Sequence, residues 1–181
     1  MHIAVVGEPD LGDLLPLMRA YCDFYGVAPG DDALLDVART LVADPEGEGF
    51  QLVARDDAGR AVGFATVYWS WSTLAAARTA IMNDLFVHPD ARGTGLAEDL
   101  VEECRLRSGR RGAVSMGWQT AKDNARAQRL YERLGATRAE WIDYSLDTTP
   151  VATDMAADTG AVTATANDPD GCGPLAQAEG D

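Results

Sequence analysis

Cysteine is scarce: Cys22, Cys104 and Cys172 are the only three in 181 residues, an odd number spread widely along the chain. That excludes a disulfide framework and offers no metal-ligand spacing, so no metal is expected. The start, MHIAVVGEP, lacks the basic n-region and apolar run of a secretory signal. No apolar run approaches the ~20 residues of a membrane-spanning helix. A reducing, cytoplasmic setting is the expectation. Basic residues are also short: 15 Lys and Arg against 29 Asp and Glu give a formal charge of −14. Residues 147–181 hold seven acids and no base, leaving 22 acids against 15 bases in 1–146. Nucleic acid and anionic membranes, which demand a basic face, are therefore not expected as partners. A cationic small molecule suits this balance, and acidity also serves solubility.

What is present reads as one α/β domain with ample chain for a core. His2–Val6 is a short strand. Asp10 or Asp13 can cap a helix reaching Tyr25, with Leu11, Leu14, Leu15, Met18 and Cys22 at helical spacing and Gly26 as its stop. Pro16 suits that helix only near its first turn. Asp31 or Asp32 opens a second helix that closes at Asp44-Pro45. The period then changes: 50–55 and 61–71 make a hairpin, and 79–87 is a further strand. Leu96, Leu100, Val101 and Cys104 mark one helix face, 113–118 a strand, and 124–135 a helix ended by Gly135. WIDYSL (141–146) is expected to be a last strand. From 147 on, no period survives, and a disordered acidic tail is expected. The predicted architecture is a mixed central sheet with helices on both faces, residues 1–146, followed by the tail, 147–181.

Between the strand ending at Val87 and the next helix lies Arg92-Gly93-Thr94-Gly95-Leu96-Ala97. Glycine in such a place serves positive φ or close approach to the backbone, and a helix N-terminus attracts anions. A P-loop would need a Lys after the last glycine, and none follows Gly95. A dinucleotide fingerprint would need a third glycine where Glu98 stands. The remaining pattern, R/Q-x-x-G-x-G/A, is met, with Ala97 in its last place.

With that loop the sequence resembles the GNAT superfamily of acyl-CoA N-acyltransferases. The segments NDLFVHPDARGTGLAEDLVEEC and WQTAKDNARAQRLYERLGATR resemble that superfamily's fourth strand, loop and third helix, then its fifth strand and fourth helix. The wording is most similar to small-amine and polyamine-type acetyltransferases. The resemblance covers residues 1–146 and is strongest over 79–137. It implies acetyl-CoA as cofactor, held by Arg92, Gly93, Thr94, Gly95, Leu96 and Ala97 at its pyrophosphate. Leu85, Phe86 and Val87 of the fourth strand would lie along the thioester arm and supply oxyanion donors where the fourth and fifth strands splay. Asn124 is an N-cap by position; the resemblance adds a hydrogen bond to the pantetheine.

Acyl transfer to an amine also needs a base and an acid. An ammonium near the lysine value of ~10.4 is neutral at pH 7 only at a cost of about 4.6 kcal/mol. Asp84 is the candidate base: it is mid-strand, where amine-acetylating relatives often carry an acid. Asn83 stands where some carry a second. Tyr131 occupies the general-acid position that the resemblance implies, while by periodicity it is a core residue of its helix. Tyr25, Tyr68, Trp69, Asn83, Asp84 and Trp118 are the acceptor-side candidates. Tyr21 and Phe24 lie opposite the Tyr68–Trp71 run, although alternate strand residues must face opposite sides. His88, before Pro89, reads as loop. The expected activity is direct ternary-complex acetyl transfer to a primary amine, small and cationic. A protein or peptide amine and a non-catalytic CoA-binding domain are the alternatives, and a homodimer is open.

Overall fold

Apolar residues spaced three and four apart become helix faces against a sheet. Leu11, Leu14, Leu17 and Met18 are the buried stripe of α1 (Leu11–Phe24), and Leu34, Ala38 and Leu41 that of α2 (Asp31–Ala43). The computed structural model describes residues 1–146; the tail expected from 147 lies outside the described residues. Met1–Arg138 form one compact unit, and Ala139 opens a second.

Five strands make one sheet in sequence order: β1 (His2–Val5), β2 (Gly49–Arg55), β3 (Ala61–Ser72), β4 (Ala77–Val87) and β5 (Met116–Gly117). The first four pair antiparallel; β5 joins β4 parallel, through the crossover helix α3 (Leu96–Arg110) that such pairing requires. Helix α4 (Ala125–Arg133) follows. The predicted mixed sheet with helices on both faces is what forms. On one face α1 and α2 cover Val53, Phe64 and Phe86. On the other, Leu96, Leu100, Val101 and Cys104 of α3 pack on Leu52, Ala65, Val67 and Met82. Leu14 has no exposed surface. Leu14→Ala should cost about 2–5 kcal/mol, the range for emptying a buried leucine site, read as a lower urea midpoint with an unchanged slope.

Four expectations need correction. Residues 141–146 form no strand. They pair with nothing among the described residues, and Trp141, Ile142, Tyr144 and Leu146 are exposed; aromatic and β-branched residues favour a strand only where a neighbouring strand takes them up. The strand expected at 113–118 narrows to Met116–Gly117. Pro16 is the sixth residue of α1, beyond its first turn, so the Gly12 carbonyl loses the N–H that would have bonded it. Neither Asp10 nor Asp13 caps α1 by a side-chain bond. Asp10 instead accepts from the Gly7 N–H at 3.0 Å, at the 3-10 turn ahead of α1.

Candidate active site

The loop after β4 is held from within. A 3-10 turn, Pro89–Ala91, is capped by His88, whose Nδ1 accepts from the Asp90 N–H at 3.3 Å, so this histidine serves the loop as expected. Arg92 Nε donates to the Val87 carbonyl at 3.1 Å, and the Thr94 hydroxyl to the Ala91 carbonyl at 2.8 Å. Gly93 and Gly95 have φ of +83° and +89°, the left-handed region that other residues enter at a cost. A Cβ on Gly93 would meet no atom within 4 Å, so internal packing does not demand the glycine; the backbone turn does. Gly95 passes directly into α3, whose first bond runs from Asp99 N–H to Gly95 carbonyl at 3.1 Å. The N–H groups of Leu96, Ala97 and Glu98 therefore have no helical acceptor and carry the positive end of the helix dipole. This loop fits a diphosphate.

A cleft of about 550 Å³ begins at this loop. Leu85, Phe86, Val87, Arg92, Gly93, Gly95, Leu96 and Ala97 line one side of it, and Asn124, Ala127, Leu130 and Tyr131 the other. The pairing of β4 with β5 ends at Ile81 and Gly117, so the edge of β4 from Met82 to Val87 is open toward the cleft. That is the splay expected between the fourth and fifth strands. Asn124 caps α4, its side chain accepting from Ala127 N–H at 3.1 Å, and it also faces the cleft. Tyr131 packs edge-on against Trp118 with ring centroids 5.1 Å apart. Burial, then the neighbouring Tyr25, pushes its hydroxyl above the ordinary phenol range. Tyr131 thus keeps its proton through neutral and moderately alkaline pH.

The far end of the cleft is shaped by a β-bulge. Thr66 pairs with Asp84 and the next residue, Val67, with Met82, so Asn83 is the extra residue on β4. Simple alternation would place Met82, Asp84 and Phe86 on one face. The bulge separates them: Met82 faces α3, whereas Phe86 lies under α1, and Asp84 shares its face. Asn83 Nδ2 donates to Asp84 Oδ1 at 2.9 Å. The Asp84 charge is felt by Tyr21, Cys22 and Tyr68. Burial first, then Asp84, raises each of these three groups above its ordinary range. Tyr21 also stacks edge-on with Tyr25, Phe64 and Phe86.

Most predicted residues are thus brought together. Tyr25, Asn83 and Trp118 line the cleft directly, while Asp84 and Tyr68 stand behind its α1 end. Thr94 turns its hydroxyl back into the loop. Trp69 is apart: it faces the opposite side of the sheet, against Phe50 at 5.5 Å, and donates from its indole to the Pro45 carbonyl at 2.9 Å. Adjacent strand residues cannot share a face, so once Tyr68 sides with Asp84, Trp69 cannot.

Residues 14–136 match the model of the Acetyltransferase (GNAT) family. The chain belongs to the GNAT acetyltransferase family. As a GNAT protein it is an acetyl-CoA-dependent N-acetyltransferase. It is 30% identical over 135 residues to the uncharacterized N-acetyltransferase YhfO of Bacillus subtilis strain 168, covering 75% of this chain and 89% of that one. Among solved structures it is similar to a probable acetyltransferase, at 28% identity and a TM-score of 0.73 over 83% of this chain and 100% of the other. It is also similar to a ribosomal-protein-alanine N-acetyltransferase from Brucella melitensis biovar Abortus 2308, at 25% identity and 0.65 over 81% and 99%.

Two features of this GNAT cleft escaped the sequence reading. Arg126, Arg129 and Arg133 of α4 all reach it, and Arg133 ion-pairs with Glu98 at the start of α3. Their spacing of three and four was visible, but a charged helical stripe ordinarily means a solvated face. Gln119 and Thr120, which also line the cleft, lie in the loop between β5 and α4, where no periodicity marks them.

Proposed function

We propose that this N-acetyltransferase acts on a small primary amine that arrives as its ammonium ion. The observation that carries the reading is Asp84: a carboxylate among Tyr21, Tyr68 and Cys22, next to a cleft end lined by Tyr21, Phe24 and Tyr25. Aromatic faces and one carboxylate suit an organic cation, in a chain whose net charge attracts it.

In this scheme Arg92, the loop N–H groups and the N-terminus of α3 hold the diphosphate of acetyl-CoA, with the α4 arginines beside them. Acetyl-CoA supplies the activated thioester. Main-chain N–H groups on the open edge of β4, around Phe86–Val87, face the negative charge that develops on the acyl oxygen. Asp84 takes the ammonium proton, directly or through water, and Tyr131 gives a proton to the departing sulfur. Transfer is direct. Cys104 is fully buried and burial pushes its thiol up to about 12, so it is neither accessible nor ionised enough to carry an acyl group.

Asp84→Asn tests the base. At pH 7 the variant should lose about 10²-fold in kcat/KM for the amine, the lower bound for a positioned base. The defect should shrink steadily toward about pH 10, where solution supplies the free amine. Initial rates across that range check it; a defect of constant size would make Asp84 a residue that orients the amine without taking its proton.

A further inference from the structure

Buried polar side chains are few: Gln51, Thr66 and Ser108 are the ones in the core among the described residues. Two of them touch. Gln51 Nε2 donates to Thr66 Oγ1 at 3.0 Å, with Gln51 2% exposed and Thr66 not exposed at all. Their positions are not random. Gln51 pairs across β2–β3 with Thr66, and Thr66 pairs across β3–β4 with Asp84. Gln51, Thr66 and Asp84 thus form one row across three strands. It is parallel to the adjacent apolar row, Val53, Phe64 and Phe86, beneath α1.

A polar row in a packed core is costly unless its members bond one another. Valine would fill the Thr66 site, and leucine or methionine the Gln51 site, without that cost. A threonine hydroxyl has one proton to give. Since Thr66 accepts from Gln51, its proton is free for another acceptor. The residue directly opposite on the far side is Asp84, and opposed side chains on antiparallel strands have Cβ atoms only about 4.5–5.5 Å apart. Gln51 Oε1 has no hydrogen-bond partner among the described residues, so the amide is oriented by Thr66 alone.

We infer that Thr66 and Gln51 are positioning residues for Asp84. The Gln51 amide fixes the Thr66 hydroxyl, leaving its proton available to the Asp84 carboxylate on the opposed strand. This aims the carboxylate at the acceptor amine. The inference rests on Asp84 serving as the base. The other groups facing Asp84 are Tyr21 and Cys22 from α1, Tyr68 from β3 and the neutral Asn83. The two phenols and the thiol are all raised, so none ionises near neutral pH. The pH response of the defect above neutrality belongs to the amine.

The experiment measures kcat/KM for the amine, KM for acetyl-CoA, and melting temperature, for Thr66→Val, Thr66→Ser, Asp84→Asn and the double variant Thr66→Val/Asp84→Asn. Thr66→Val should lose about tenfold near pH 7, the order of one hydrogen bond to a charged group, and less than about threefold near pH 9.5. KM for acetyl-CoA should not move. Thr66→Ser, which keeps the hydroxyl, should restore at least half the activity. On the Asp84→Asn background, Thr66→Val should add less than a factor of about two, because residues acting through one another are not additive. A Thr66→Val defect that is absent, flat with pH or fully additive with Asp84→Asn overturns the positioning role and leaves Asp84 as base. A pH-flat Asp84→Asn defect overturns the base itself, and this inference with it. If Thr66→Val does not fold, Gln51→Met reads the same row from its other end: a smaller defect of the same pH shape supports the inference, and a flat one overturns it.

Discussion

Tyr131→Phe should lower turnover by about 10²–10⁴, the span for a positioned proton donor, while acetyl-CoA affinity and melting temperature stay close to the parent's. The asymmetry follows from the geometry. The Tyr131 ring is held edge-on by Trp118, and phenylalanine keeps that contact. Its hydroxyl makes no side-chain hydrogen bond among the described residues, so removing it leaves no buried partner unpaired. What disappears is a proton that burial keeps on the oxygen, and in the proposed mechanism it is needed only as sulfur leaves. A loss confined to the transition state appears in kcat and kcat/KM alike. Because the phenol is raised above its ordinary range, the parent enzyme should also show no alkaline fall in kcat below about pH 10. A steady-state profile of parent and variant checks both statements. Full turnover by the variant would remove Tyr131 from the mechanism.

Gly95→Val should abolish the thermal shift produced by CoA. At a hundredfold excess over Kd a ligand adds about 2.7 kcal/mol, which for a domain of this size is on the order of 5–10 °C. Valine cannot adopt φ of +89° without strain, so the turn that leads into the first α3 amides, the proposed diphosphate donors, must distort. Outside the loop the added side chain meets little, the nearest protein atom to its Cβ being a Glu98 oxygen at 4.0 Å. The fold should therefore survive, with a modest fall in the ligand-free melting temperature. Differential scanning fluorimetry with and without CoA checks this; an undiminished shift would place the cofactor elsewhere.

Local grammar made much of this legible. The α3 face, the glycine loop ahead of it, the Asn124 cap and the Gly135 stop each follow from short-range rules, and together they sufficed for the resemblance. The rest depended on what strands do to one another. The bulge at Asn83 has no residue signature, yet it decides that Asp84 lies under α1 while Met82 lies under α3. Register against β3 likewise separates Tyr68 from Trp69. The segment 141–146 carries strand-forming residues but has no partner strand among the described residues, and propensity alone does not make a strand. The α4 arginines were visible as a stripe, but only the fold shows that the stripe lines the cleft. Gln51 and Thr66 are unremarkable as letters and become a polar row only through two registers.

In the proposed function this cleft moves an acetyl group from acetyl-CoA to a small cationic amine. Mass spectrometry of the products, with the protein incubated with acetyl-CoA and a panel of polyamines, amino acids, aminoglycosides and peptide N-termini, tests it most directly. The expected product carries one acetyl group on a primary amine of a small cation, dependent on both acetyl-CoA and Asp84, with peptide amines poor by comparison. Efficient transfer to peptide N-termini and none to small cations would contradict the acceptor. No transfer to any amine, alongside an intact CoA thermal shift, would contradict the proposed catalytic site.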